Sequence, residues 1–181
     1  MRPGARTSQF RKKMTSPKTF FPDCPKHYLD KLEWEINCLK AMHPSEMKEK
    51  AYQILTCATT AWHLCDWVYG AMTKEQRALH RGSRRSGLGS FQDWACNECM
   101  WLKVCQQIAV ANKHFEVRRF NNPRVGTDQV MMAVAGSEGK WFQSEPAFTI
   151  DGKWVPPDRV LETVLSFWRQ LLQKLDMFWV K

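Results

Sequence analysis

Residues 51–69, AYQILTCATTAWHLCDWVY, decide the fold that we predict for this chain. Their apolar side chains recur every three or four residues, which is the pattern of an amphipathic helix with a wide buried face. The stripe consists of Ala51, Ile54, Leu55, Ala58, Trp62, Cys65, Val68 and Tyr69. We expect this helix to begin at Pro44 and Ser45, to end near Gly70 and to cross the core.

Capping residues mark the helices on either side of this segment. Asp23 followed by Pro25 predicts an N-cap and a first-turn proline for a helix over residues 25–41. Thr73 and Gln76 have the spacing of a capping box. They predict a short helix that ends before a glycine- and arginine-rich loop, residues 81–90.

Two further helices are predicted downstream. Ser90 and Asp93 repeat the capping-box spacing, and the apolar stripe after them predicts a third long helix to about residue 118. Residues 156–158, Pro-Pro-Asp, open a last helix whose apolar positions continue to Leu175.

Between these two helices the pattern changes to that of strands. Alternation from Thr127, a turn at residues 136–139 and a second apolar segment predict a β-hairpin over about residues 127–151. Pro146 indicates that the second strand is interrupted or lies at an edge. The predicted fold class is therefore mainly α, a helical bundle with a β-hairpin inserted before the C-terminal helix.

Length and charge divide the chain into a tail and one domain. A chain of 181 residues is long enough for one substantial core, which we place at residues 23–181. Of the net charge of +9, most comes from residues 1–26, which hold seven Lys or Arg and one acidic residue. Residues 1–22 are predicted to be a disordered basic tail. Four interpretations of this tail are open. It is inert, it adds affinity for nucleic acid, it acts in targeting, or it is an upstream extension and translation starts at Met14 instead of Met1.

Cysteine usage and hydropathy indicate the compartment. Seven cysteines, an odd number, are scattered through apolar helical segments, which favours reduced thiols over a disulfide framework. No apolar run approaches the roughly 18 to 20 residues of a membrane span. We therefore predict a soluble, cytoplasmic protein without membrane contact.

One cysteine pattern raises the possibility of a metal site. Cys96, Cys99, Cys105 and His114 have the order of zinc ligands, but a second C-x2-C pair is lacking and the first pair lies on a predicted helix. We therefore predict neither a metal nor another cofactor.

Polar side chains interrupt the two longest predicted helices. His63 and Asp66 are three residues apart and so share one helix face, where a carboxylate can orient an imidazole. Asn112, Lys113 and His114 follow an apolar stretch near the end of the third long helix. If the two helices are antiparallel neighbours, these five residues form a candidate catalytic cluster. The alternative is a buried hydrogen-bond network that fixes the register of the helices.

Arginines near these segments are candidates for phosphate binding, because guanidinium groups form paired hydrogen bonds with phosphate oxygens. The alternative is that they are ordinary solvated charges. The candidate nucleic-acid-binding residues are Arg81, Arg84, Arg85, Arg118 and Arg119.

The segments Ala61-Trp-His-x-x-Asp-Trp67 and Asn112-Lys-His-Phe115 lie on two long helices, an arrangement that resembles the HEPN superfamily of helical bundles. The same segments are similar to those of uncharacterised bacterial and phage-borne proteins. Many HEPN members are metal-independent ribonucleases, often dimeric, encoded in toxin, antiphage and mobile-element loci. On this resemblance His114 takes the histidine role and Asp66 or His63 the partner role.

This chain departs from the family pattern at one point. The family places an arginine four to six residues before its histidine, whereas Gln106 and Gln107 stand upstream of His114 here. Lys113 or Arg118 would then supply the positive charge.

Two functions follow as expectations. The first is RNA cleavage or RNA binding in a bacterial defence, toxin or mobile-element system. The second is a non-catalytic interaction module that binds a partner protein or a second copy of itself, because Trp141, Trp154 and Trp179 lie outside the strongest core stripes.

Overall fold

The structure is a computed structural model that describes residues 23–43, 45–83, 87–113, 122–136 and 139–178. The described part is mainly helical, with a three-stranded antiparallel sheet before the last helix, which confirms the predicted fold class. Its helices are α1 Pro25–Ala41, α2 Met47–Ala71, α3 Lys74–Leu79, α4 Leu88–Glu98, α5 Met100–Lys113 and α6 Pro157–Lys174. Its strands are β1 Val125–Gly136, β2 Gly139–Ile150 and β3 Lys153–Val155.

The helix α2 is the centre of the bundle, as its apolar stripe predicts. It packs against α1, α4, α5 and α6 and also contacts β2. Its buried residues include Ala61, Leu64, Cys65 and Val68, none of which exposes measurable surface. The core is therefore built around α2.

The first and last helices cover neighbouring sides of α2. Ion pairs join Glu33 to Arg169 and Lys40 to Glu162, so α1 and α6 lie antiparallel to each other. The apolar face of α6 is buried from Val160 to Leu172. Both helices agree with the ranges predicted from their apolar spacing.

The sheet contains one strand more than the predicted hairpin. β1 and β2 pair from Val125–Ile150 to Gly136–Gly139, and the short β3 then pairs with residues 148–150 of β2. Pro146 lies within the continuous β2, so the first of the two predicted alternatives, an interruption, is wrong, and the second, an edge position, remains. Because β3 does not reach Pro146, the strand edge there is unpaired within the described sheet, as a proline requires.

The predicted third long helix is wrong in its continuity and its start. It is divided into α4 and α5 at Cys99, whose backbone leaves the helical region at φ −131° and ψ 95°. The helix α4 begins after Gly87, which has a positive φ of 83°. Ser90 is consequently buried inside α4 instead of capping it. The predicted end near residue 118 lies outside the described residues.

The two other predicted caps have opposite outcomes. Thr73 and Gln76 form the complete capping box of α3. At α1 the N-cap residue is Cys24, without a side-chain capping bond, so the predicted capping role of Asp23 is wrong. Asp23 instead contacts His27, with 2.7 Å between Oδ1 and Nδ1.

Among the described helices, none combines the length and the apolar character needed to cross a bilayer. All seven cysteines are described, and none forms a disulfide. The predicted basic tail, residues 1–22, lies outside the described residues.

Candidate functional site

His63 and Asp66 lie on the solvent-facing stripe of α2. They are exposed together with Tyr52, Thr56 and Gly70, which recur at the same helical spacing. The alternative of a buried network is therefore wrong for this pair. The tryptophans on either side, Trp62 and Trp67, are only partly buried, so the pair is open to a ligand from solvent.

Asp66 has a second contact that the sequence did not predict. The Gln92 side-chain amide of α4 donates to Oδ1 of Asp66 over 3.4 Å. Surrounding atoms remove water from the carboxyl group, and this desolvation raises its pKa, while His63 and Gln92 oppose the increase. An exposed carboxyl group with a raised pKa is suited to proton transfer.

A shallow hollow of about 400 Å³ lies beside this carboxyl group. It is formed between the start of α1 and the end of α2 and is lined by Asp23, Pro25, Asp66, Trp67, Gly70 and Ala71. One side is strengthened by stacking of Tyr28 on Trp67, with 5.0 Å between ring centroids. Asp66 therefore lies at a concave and partly apolar part of the surface.

The start of the arginine-rich loop is attached to α4. The backbone N–H of Gly82 donates to the carbonyl of Ser90 over 2.8 Å, and the hydroxyl of Ser83 donates to Asp93 over 3.0 Å. Arg81 is exposed directly before these contacts. Because α4 also carries Gln92, this one helix contacts both Asp66 and the start of the loop next to Arg81.

The course of α5 locates Asn112. The helix α5 packs against α2, and Cys105 in its middle is buried near Cys57 and Cys65. Asn112 is exposed two turns beyond Cys105, about 10 Å further along the axis.

The structure does not describe the side chains of the other predicted site residues. Lys113 is the last residue of α5, and its side chain is not described. The remaining candidates, His114, Arg84, Arg85, Arg118 and Arg119, lie outside the described residues. Of the predicted cluster, the structure therefore brings together His63 and Asp66 and adds Gln92.

One charged side chain near the site was missed from the sequence. Arg77 of α3 donates to the carbonyls of Tyr69 and Gly70 at 3.0 and 3.2 Å, and its guanidinium lies 4.4 Å from the Tyr69 ring centroid. It closes the C-terminal end of α2, where cations are favoured. A basic residue shortly after the helix was the available signal.

The cysteine pattern considered for zinc is made of protonated thiols. Burial raises the pKa of Cys96 to about 12 and also raises the pKa of Cys99 and Cys105. Zinc binds thiolates, so desolvation opposes metal binding at these positions.

No protein-family model matches this chain, and no significant match was found among curated proteins or solved structures.

Proposed function

We propose that this protein binds RNA and cleaves it without a metal ion, as a HEPN-like component of a bacterial defence, toxin or mobile-element system. The observation that carries the proposal is the position of α4. Its first turns hold the start of the arginine-rich loop through Gly82, and its Gln92 contacts Asp66 of the exposed His63–Asp66 pair.

The loop supplies the binding part of this proposal. Arg81, Arg84 and Arg85 provide guanidinium groups for the phosphates of an RNA strand. The attachment of Gly82 to α4 favours a strand that passes from the loop towards Asp66. Arg118 and Arg119 would extend the same phosphate contacts.

The cleavage part requires a base and an acid. In the proposed reaction, a base removes the proton of a ribose 2′-hydroxyl and the oxygen attacks the adjacent phosphorus. The bond to the 5′-oxygen breaks and that oxygen takes a proton, which leaves a cyclic phosphate. We assign the acid or base role to His114, while Asp66 orients His63, and Lys113 with Asn112 assists at the phosphate.

The test is cleavage of labelled RNA in the presence of EDTA, with analysis of the product ends. Loss of a general acid or base costs about 10²-fold or more in rate. We expect this loss in His114→Ala and in His63→Ala. The matched control is His43→Ala, because His43 is exposed and contacts only Ser45 among the bonds described for its ring. Absence of cyclic-phosphate products from the unmodified protein, or full activity in both variants, would refute the assignment.

RNA binding is tested separately by fluorescence anisotropy at several salt concentrations. Replacing Arg81, Arg84 and Arg85 by alanine should weaken binding and reduce the salt slope by roughly 0.7 for each lost phosphate contact. The control replaces the exposed residues Lys153, Arg159 and Lys174. An equal effect in both triple variants would mean that only net charge matters.

A second candidate function is favoured by one specific observation. Trp154 of β3 is 60% exposed and lies beside a hollow of about 640 Å³ with a mainly apolar lining that includes Leu39, Met42, Val130 and Pro156. Exposed aromatic side chains beside apolar hollows are common at protein interfaces. The alternative proposal is therefore a non-catalytic module that binds a second copy or a partner protein. The other two tryptophans of this prediction, Trp141 and Trp179, have no described side chains.

Light scattering over a range of protein concentrations tests self-association. A dimer that is weakened by Trp154→Ala and retained in Trp34→Ala would support the module, since Trp34 is similarly exposed on α1. A monomer at all concentrations would remove self-association from this candidate function.

A further inference from the structure

Three different metal-binding groups meet at the start of α1. The side chains of Asp23, Cys24 and His27 each offer one ligand atom, and these atoms lie within 4.8 Å of one another. In the present arrangement, Oδ1 of Asp23 and Nδ1 of His27 share a hydrogen bond of 2.7 Å. The group borders the same hollow as Asp66, but metal binding by these residues does not depend on the proposed RNA cleavage.

The local backbone explains why these groups converge. Cys24 is extended, with φ −145° and ψ 164°, and Pro25 takes the first helical position. The backbone N–H of Tyr28 donates to the Cys24 carbonyl over 3.2 Å, which closes the first turn. Asp23 is therefore held beside His27, one helical turn further on, and the Cys24 thiol lies within 4.8 Å of both ligand atoms.

We propose that Asp23, Cys24 and His27 bind one Zn²⁺ ion, or a divalent transition-metal ion of similar ligand preference. The ligands are a carboxylate oxygen, a thiolate sulfur and an imidazole nitrogen. This mixture of donors matches borderline ions such as Zn²⁺, whereas Mg²⁺ and Ca²⁺ prefer oxygen ligands alone. The carboxylate and the thiolate together balance the charge of the ion. On binding, the imidazole exchanges its bond with Asp23 for the metal, and Cys24 releases its thiol proton to water.

The surroundings leave room for a further ligand. Asp23 borders the hollow of about 400 Å³ that Asp66 also lines. A water molecule in this hollow would complete a tetrahedral set of three protein ligands and one solvent ligand.

The contrast with the other cysteines makes this location specific. Burial raises the pKa of the Cys57 and Cys96 thiols to about 12, and it also raises the pKa of the Cys65 and Cys105 thiols. Forming a thiolate there is costly. Cys24 is partly exposed and lies beside both a carboxylate and an imidazole.

The experiment titrates Zn²⁺ into the reduced full-length protein by calorimetry, followed by Co²⁺ titration with detection of the thiolate-to-cobalt absorption band. We expect one equivalent to bind, with a loss of affinity on the order of tenfold or more in each of Cys24→Ser, His27→Ala and Asp23→Asn. Affinity should rise with pH because binding releases a proton. Bound Zn²⁺ should also protect Cys24 from alkylation.

Three controls have the same residue types at other exposed or partly exposed positions. They are Cys38→Ser, His43→Ala and Asp30→Asn, which should leave binding unchanged. Circular dichroism of every variant verifies folding. Absence of stoichiometric binding to the unmodified protein, or unchanged affinity in all three ligand variants, would overturn the proposal. Because the RNA assay contains EDTA, failure of this site and failure of the proposed RNA cleavage are distinguishable.

Discussion

The indole N–H of Trp168 donates a hydrogen bond of 3.0 Å to the backbone carbonyl of Ala61. Both residues are fully buried, and the bond joins α6 to the middle of α2. Trp168→Phe removes the donor and leaves unfilled volume, so we expect a loss of about 1 to 3 kcal/mol in the free energy of unfolding. Urea denaturation measures it. The control Trp154→Phe should cost less than about 0.5 kcal/mol, because Trp154 is exposed. Equal effects in the two variants would contradict this role of Trp168.

A buried carboxyl group on α1 depends on one lysine. Glu35 is 2% exposed and forms an ion pair with Lys31, which also donates to Thr60 over 2.7 Å. Within the described part of the chain, Oε2 of Glu35 has no hydrogen-bond partner. Lys31→Met would leave an uncompensated charge, so we expect a loss of about 3 to 5 kcal/mol in unfolding free energy.

The double variant Lys31→Met, Glu35→Leu is the control for this effect. Since it removes both charges and keeps the volume apolar, it should recover most of the lost stability. Equal stability of the single and double variants would show that the ion pair is not the cause.

Gly82 is a position where a side chain has no space. A Cβ atom there would lie 2.4 Å from Cβ of Asp93 and 2.6 Å from the backbone nitrogen of Trp94. Gly82→Ala should therefore detach the loop from α4 and cost about 1 to 3 kcal/mol in thermal or urea unfolding. Gly70→Ala is the control, because nothing lies within 4 Å of its Cβ position and alanine favours helices. A neutral Gly82→Ala variant would mean that the loop is not held there.

The buried thiols should resist alkylation in the folded protein. A pKa of about 12 at Cys57, against an ordinary value of 9.0, lowers the thiolate fraction roughly a thousandfold near pH 8. We expect iodoacetamide to modify Cys57, Cys65 and Cys105 only after unfolding, whereas Cys24 reacts in the native state. Peptide mass mapping measures each site. Rapid native alkylation of Cys105 would refute its burial.

The raised pKa of Asp66 predicts a pH-dependent gain in stability on removing its charge. Because this pKa lies above its ordinary value of 3.8, the folded protein binds the proton more tightly than the unfolded chain does. The penalty on the folded state therefore grows as pH rises above 3.8 and is complete once pH exceeds the folded pKa. Asp66→Asn should stabilise the protein slightly near about pH 7, by less than about 1 kcal/mol for such an exposed group. The gain should shrink as pH falls towards 3.8.

Asp30→Asn provides the opposite sign in the same assay, because Asp30 forms an ion pair with Lys26. It should lose a little stability near about pH 7. A gain in this variant equal to that of Asp66→Asn would point to net charge as the cause.

The features predicted correctly are those that short stretches of sequence determine. The apolar spacing of α2 and α6 and the capping box at Thr73 depend on residues three or four positions apart. The break at Cys99 has no such signal, since no glycine or proline stands there and the apolar residues continue through it. Both α4 and α5 pack against α2, and contacts between helices leave no signal in the local sequence. The strand β3 was missed because three residues are too few for a period, and pairing with β2 supplies its order.

The same distinction holds for the candidate site. His63 and Asp66 were paired from their spacing on one helix, but whether that face is buried depends on the neighbours of α2. The contact with Gln92 crosses between helices and has no local signal. Asp23 reaches His27 because α1 begins at Pro25 and its N-cap is Cys24. Since Asp23 was predicted to be the N-cap, its contact with His27 was not expected.

The packing of α1 against α6 has a consequence for synthesis on the ribosome. Both helices cover α2, yet α6 is made more than one hundred residues after α1 ends. Until Trp168 and its neighbours emerge, the nascent chain presents the uncovered apolar side of α2 to the cell. Closure therefore comes late in synthesis, and a chaperone that shields apolar surface would assist this chain most during that interval.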